Sequence, residues 1–285
     1  MSSSKLARMP VVFIGHGSPM NAIEDNSFTQ SLKTLAEKIQ KPKAILCVSA
    51  HWMTEGTWVT EMANPKTIHD FYGFPQALFD IKYPAPGSLD VATLVKNAVK
   101  KPVKTSEKFS TINSSLNTVT SSEVHGDKEI WGLDHGSWSV LRHMYPNADI
   151  PVLQLSLDLS KPYEYHEQIG QRISSLRDQG ILILGSGNIV HNLSQIRWGA
   201  DAKPFDWAIE FDEWFKQKLE AKDFKSVMHD FHNSPAGKLS VPTLEHYLPL
   251  HYILGASDGQ DQLIFEYEGI QNGSISMRTF QLKPN

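Results

Sequence analysis

A single cysteine, Cys47, is the only thiol in a chain of 285 residues. An internal disulfide framework is thereby excluded, as is any zinc or iron–sulfur site built from several thiolates. A reducing compartment is the expectation, the cytoplasm by default. A basic excess is missing too: 27 Lys and Arg stand against 31 Asp and Glu, a formal net charge of −4, and no basic block offsets it locally. That balance argues against a general nucleic-acid or anionic-membrane binder. No run of about 18 apolar residues occurs, and the opening MSSSKLARMP carries no apolar stretch of signal-peptide length, so a soluble protein not exported by that route is expected. There is no internal repeat and no linker-like shift in composition. With 40% hydrophobic residues, the chain can bury one large core, and a single domain over residues 1–285 is expected. What the sequence has in excess is histidine, 12 in all, accompanied by seven Trp and eight Tyr.

Apolar, β-branched runs recur at Val11 to Gly15, Ala44 to Ala50, Val152 to Leu157 and Ile181 to Gly185, without alternation of polar and apolar positions. Such runs read as strands of a largely parallel sheet, covered on both faces. Between them, Phe28, Leu32, Leu35 and Ile39 follow a helical stripe, as do Ile169, Ile173 and Leu176, and Ala208, Phe211, Phe215 and Leu219. The alternation predicts an α/β fold with helices on both faces of a central mixed sheet. Near the end, Leu263 to Tyr267 and Ile275 to Leu282 flank Gly269 and Asn272-Gly273, which predicts a C-terminal antiparallel hairpin. The segment Thr105 to Ser122 holds ten Ser or Thr among eighteen residues and reads as a mobile surface loop.

The histidines matter by position. His16 follows the run VVFIG, His51 follows AILCVSA, and His191 comes a few residues after ILILGSG. Each lies just past the carboxyl end of a predicted buried strand, the edge where open α/β sheets bind ligands, so three imidazoles are expected to converge on one ion. Pro242 and Thr243 look like a helix start, with Glu245, His246 and His251 near its head, and the residues alone leave His246 and Glu245 as alternatives for a fourth group. His135 sits in DHGSW before a predicted helix Val140 to Met144, with Asp134 placed to orient a neighbour or cap that helix. His229 and His232, three residues apart, form a rival pair. Local hydrogen-bonded or solvated roles are expected for His125, His143 and His166.

Eight segments carry a family resemblance over nearly the whole chain: GHGSPM at 15–20, VSAHW at 48–52, IHDFYGFP at 68–75, YPAPG at 83–87, GLDHGSW at 132–138, PVLQLSL at 151–157, GSGNIVHNL at 185–193 and PTLEHYLPLHYILGA at 242–256. In these the sequence resembles the LigB-type, or class III, extradiol ring-cleavage dioxygenases, and within them the DOPA-4,5-dioxygenase-like subgroup. The resemblance implies that His16, His51 and a residue of PTLEH hold a non-haem divalent metal, that His191 is the acid/base histidine, and that His135 lines the substrate site. Many family members have a glutamate as third ligand. The subgroup pattern has a histidine, which the best register puts at His246, with Glu245 one residue away.

The implied chemistry is the insertion of both atoms of O2 into a catechol-type ring, giving a ring-opened semialdehyde. Triplet oxygen does not attack a closed-shell catechol directly, so a redox-capable ion is required, Fe(2+) for catalysis. Zn(2+) also suits an imidazole-rich site in the isolated protein, with His191 joining His16, His51 and His246 as a fourth ligand and no redox step available. A neutral imidazole such as His191 can serve as base and then acid. Trp52, Phe71, Tyr72 and Phe74 are the expected aromatic wall for a planar substrate. The competing readings are a zinc-dependent hydrolase, with Glu245 or Asp134 as base; a tetrapyrrole metal chelatase, from GHGS alone; and a metal-binding protein without turnover. The expected partners are thus a small catechol and O2, with neither nucleic acid nor membrane.

Overall fold

The computed structural model describes residues 7–101, 123–199 and 202–285; the Ser/Thr-rich segment 105–122 lies outside them. Its strands are β1 (Val11–Gly15), β2 (Ala44–Met53), β3 (Thr57–Thr60), β4 (Lys66–Thr67), β5 (Val124–Asp127), β6 (Gly132–Leu133), β7 (Val152–Leu157), β8 (Ile181–Gly187), β9 (Gln262–Tyr267), β10 (Ile270–Gln271), β11 (Ile275–Ser276) and β12 (Thr279–Lys283). Eight form one mixed sheet in the order β5-β3-β7-β2-β8-β1-β12-β9. The four central strands β7, β2, β8 and β1 run parallel, while β12 and β9 add an antiparallel edge. The predicted hairpin is present twice over. Strands β9 and β12 pair antiparallel, and β10 pairs with β11 across a turn in which Asn272 (φ 51°) and Gly273 (φ 74°) take the left-handed conformation that an Asn-Gly pair tolerates.

The unbroken apolar runs follow from burial on both faces. Along β1, Val11 and Phe13 join one core and Val12 and Ile14 the other; along β8, Ile181 and Ile183 are divided in the same way from Leu182 and Leu184. The first core is closed by α3 (Leu89–Lys100), α5 (Tyr163–Ile173), α6 (Asp206–Glu220) and α9 (Leu248–Ala256), the second by α1 (Ser27–Lys38) and α4 (His135–Met144). Three short α-helices are also present among the described residues: α2 (Gln76–Phe79), α7 (Phe224–His229) and α8 (Pro235–Ser240).

Two helix expectations are corrected. Helix α4 begins at His135 rather than Val140, because Asp134 accepts from the Ser137 N–H and caps it there. Pro242 and Thr243 do not start a helix: residues 241–247 form a turn, and α9 begins at Leu248 with Pro249 in its first turn. The delay is imposed by β8. The Asn188 N–H donates to the His246 carbonyl (2.9 Å) and the His191 N–H to the Ser240 carbonyl (2.8 Å), so this segment is tied to the strand end before it can coil. Gly187 makes the approach possible, since a Cβ there would stand 2.2 Å from the His246 oxygen. Among the described residues, no helix is long and apolar enough to cross a membrane.

Candidate active site

The carboxyl ends of β1, β2 and β8 open into a cavity of about 690 Å³ lined by His16, His51, His135, His191 and His246, with Asp70, Phe71, Tyr72 and Phe74 on its wall. His16 leaves the end of β1, His51 is still within β2, His191 follows β8, and His246 arrives from the turn tied to Gly187 and Asn188. Ligand atoms of His16, His51 and His246 all lie within 4.8 Å of one another. The His16 and His51 Nε2 atoms are 3.1 Å apart.

The second nitrogen of each ring explains why the Nε2 atoms face inward. The Ser186 hydroxyl donates its only proton to the Gly136 carbonyl, so its oxygen accepts from His16 Nδ1–H at 2.9 Å. His51 Nδ1 faces Asp70 Oδ2 at 3.5 Å, and His246 Nδ1–H donates to Glu245 Oε1 at 3.2 Å. An acceptor thus stands near each Nδ1, and with those nitrogens protonated the Nε2 atoms of His16 and His51 carry free lone pairs beside His246. This is the arrangement by which proteins fix metal-binding imidazoles. Burial, then the neighbouring imidazoles, holds His16 and His51 well below the usual histidine pKa. Burial also lowers His246, against the upward pull of Glu245. Three neutral imidazoles suit a borderline divalent cation such as Fe(2+) or Zn(2+).

Two further imidazoles flank this trio. His191 stacks flat on His246, ring centroids 3.5 Å apart and planes 10° from parallel, and is itself lowered by burial and by His246. His135 stands 3.9 Å from His51 by ring centroids and is anchored on Asp70, which accepts from His135 Nδ1–H at 2.8 Å and from its backbone N–H at 2.9 Å. Burial would raise the Asp70 carboxyl, but these His135 contacts bring it below its ordinary value. Sequence reasoning missed Asp70 and Ser186 as partners of the histidines. Asp70 had one available signal, its place in IHDFYGFP directly before Phe71.

Several expectations change here. Phe71, Tyr72 and Phe74 line the cavity, but Trp52 does not: it is buried and stacks on Trp131 (centroids 5.9 Å, planes 4° apart). Neighbours on a strand point to opposite faces, so a cavity-facing His51 turns Trp52 away. His229 and His232 do not pair, because His229 faces Glu164 and Glu167 while His232 Nε2 bonds the Val241 carbonyl. Of the two alternatives for a hydrolase's base, Asp134 is buried among Ser49, Ser137 and Gln154, and Glu245 is engaged by His246 and Thr243; neither lines the cavity. His143 and His166 are hydrogen-bonded, to the Asn21 carbonyl and the Tyr252 hydroxyl, as expected, although His166 is fully buried.

Residues 9–278 match the family described as the catalytic LigB subunit of aromatic ring-opening dioxygenase. A protein of Escherichia coli K12 named 4,5-DOPA dioxygenase extradiol is 47% identical over 96% of this chain and 95% of its own length. A Beta vulgaris protein of the same name is 35% identical over 94% of each. The crystal structure of an uncharacterized Escherichia coli K12 protein superposes with a TM-score of 0.78 at 42% identity, covering 96% of this chain and all of that one. The chain therefore belongs to the LigB family of aromatic ring-opening dioxygenases, as an extradiol ring-opening enzyme.

Proposed function

We propose that this dioxygenase opens catechol-type rings with O2 at the histidine cavity, using one ferrous ion held by His16, His51 and His246. The observation that supports the reading is the cluster of three imidazoles with ligand atoms within 4.8 Å of one another and Nδ1 atoms near acceptors on Ser186, Asp70 and Glu245. Ferrous iron bound there supplies the electron exchange that lets triplet O2 react with a closed-shell catechol. The neutral His191 ring, at the edge of the trio, takes the proton of the second catechol hydroxyl and returns it as the ring opens. His135, its Nδ1–H fixed on Asp70, presents Nε2 to the substrate oxygens. Phe71 meets His135 edge-on at 5.5 Å and holds a planar ring against these groups. The native locale we propose is the cytoplasm, the chain acting as one domain on small molecules.

The test is to load the protein with Fe(2+) under argon, add a catechol and admit air. A yellow ring-opened semialdehyde whose mass equals substrate plus O2 is expected. The zinc-loaded protein should bind catechol and leave it intact. A hydrolytic product, or no product from fully iron-loaded protein, refutes the reading.

A further inference from the structure

His16, His191 and His246 lie outside the strands, so the ladder of the sheet does not by itself fix the distances between them. Immediately after His16, Gly17 takes a left-handed conformation (φ 65°) that turns the chain away from β1. One residue reaches all three segments. Asn188, 1% exposed, is the first residue past β8. Its backbone N–H donates to the His246 carbonyl at 2.9 Å. Its carboxamide Oδ1 accepts from the Gly17 N–H at 3.4 Å, and its Nδ2 donates to the Ser276 carbonyl at 2.8 Å. Ser276 in turn donates its N–H to the Val190 carbonyl at 3.0 Å, next to His191. Ser276 is a firm anchor: it is fully buried, and its hydroxyl donates to Asp212 of α6 at 2.6 Å, a carboxylate that Arg278 also holds.

The chemistry of the side chain suits this place. Gly17 offers a donor and Ser276 an acceptor, and a carboxamide answers both from one rigid plane. A leucine of similar size would leave both backbone groups without these bonds. We infer that Asn188 is a positioning residue for the metal centre, its carboxamide fixing the separation of the segments that bear His16, His246 and His191 before any ion binds. The inference rests on the ligand set proposed above and adds the device that spaces it. Ser186, Asp70 and Glu245 orient the rings, whereas Asn188 sets how far apart their backbones stand. His51 and His135 are held otherwise, through β2 and Asp70. Metal sites tolerate only about 0.2 Å in ligand distance, so a loosened His16 segment costs affinity before it costs the fold.

Asn188→Ala and Asn188→Leu are compared with the wild type in two ways. Zinc affinity is measured by competition with a chromophoric chelator, and the d–d absorption of the Co(2+)-loaded protein reports ligand number and geometry. A zinc Kd raised about tenfold or more in both variants is expected, with altered cobalt bands and native circular dichroism. A merely structural role would lower the melting temperature of the metal-free protein and leave the affinity and the cobalt spectrum as in the wild type; that result overturns the inference. His246→Ala controls for the ligand set. If it retains full zinc, the ligand reading and the inference fail together; if it loses zinc while the Asn188 variants bind as the wild type does, the inference fails alone. Should neither Asn188 variant fold, hydrogen exchange of the wild-type protein decides. A Gly17 amide protected without metal supports the preset spacing, and one protected only after zinc is added overturns it.

Discussion

Replacing Glu245 and His246 one at a time separates a residue that would hold metal from one that orients it. Glu245 Oε1 lies 3.2 Å from His246 Nδ1 and 2.7 Å from the Thr243 hydroxyl. Burial would raise its carboxyl, but the hydrogen bonds from His246 and Thr243 hold it below its ordinary value. It is therefore a carboxylate at any working pH, fixing the His246 tautomer and ring angle. Removing such an outer partner typically weakens metal binding about 10–100-fold, or about 1.4–2.8 kcal/mol. Glu245→Ala should accordingly bind one zinc per chain with a Kd raised by that factor. His246→Ala removes one of the three proposed ligands and should fall well below one metal per chain after gel filtration. The assay is competition with a chromophoric chelator at pH 7.5, with circular dichroism to confirm that both variants fold. If His246→Ala keeps full metal while Glu245→Ala loses it, the geometric assignment is wrong and the carboxylate is the ligand.

Other consequences follow from the same geometry. His191→Gln should keep its metal and still bind catechol, while ring opening slows about 10²–10⁴-fold and the acidic limb of the pH profile moves or disappears; an unchanged rate and profile would refute proton transfer by His191. Gly187→Ala places a Cβ 2.2 Å from the His246 carbonyl oxygen, so a loss of about 1–3 kcal/mol in thermal stability and weaker metal retention are expected; a neutral effect would mean that the 241–247 turn is free to shift. His166 and His251 are lowered chiefly by burial, to about 4 and about 3, whereas in the unfolded chain each titrates near 6.5. Below 6.5 the unfolded state binds protons that the folded state refuses, so stability falls as pH falls, by about 2 kcal/mol per histidine at pH 5. Denaturant melts of metal-free protein at pH 7.5 and 5 check this, and His166→Phe should flatten the slope.

Much of the frame was legible because its cause is local. The parallel strands are buried on both faces, so they appear as unbroken apolar runs; β1 and β7 have the expected bounds, and β8 runs on to Gly187. The strand-end position of His16 follows from the same runs, whereas β2 continues past the expected end through His51 to Met53. Trp52 was misassigned although the period of two along β2 already opposes it to His51. The turn at 241–247 was not legible, since Pro-Thr is a sound helix-start signal and the bonds that override it come from Asn188 and His191. The acceptors were hidden for the same reason: Ser186 lies 170 positions from His16, and Asp70 lies 65 from His135. No local pattern records a pairing of that range.

That distance explains how the site is built. Strands β1, β2 and β8 set where the imidazoles stand, but not which nitrogen faces inward; that choice belongs to Ser186, Asp70 and Glu245, each from a different segment. Once the choice is made, two lone-pair nitrogens, those of His16 and His51, stand 3.1 Å apart in a buried place where burial keeps protons off both rings. Neutral lone pairs at that separation repel, and a shared cation relieves the repulsion. With the proposed ligands, metal affinity would have two sources, the imidazoles themselves and the preset orientation of their nitrogens. Ser186→Ala tests the second alone. It leaves all three imidazoles in the chain but frees His16 to change tautomer, so metal affinity should drop about 10–100-fold with the fold retained. An affinity equal to the wild type would show that convergence is set by backbone placement and that the hydroxyl is incidental.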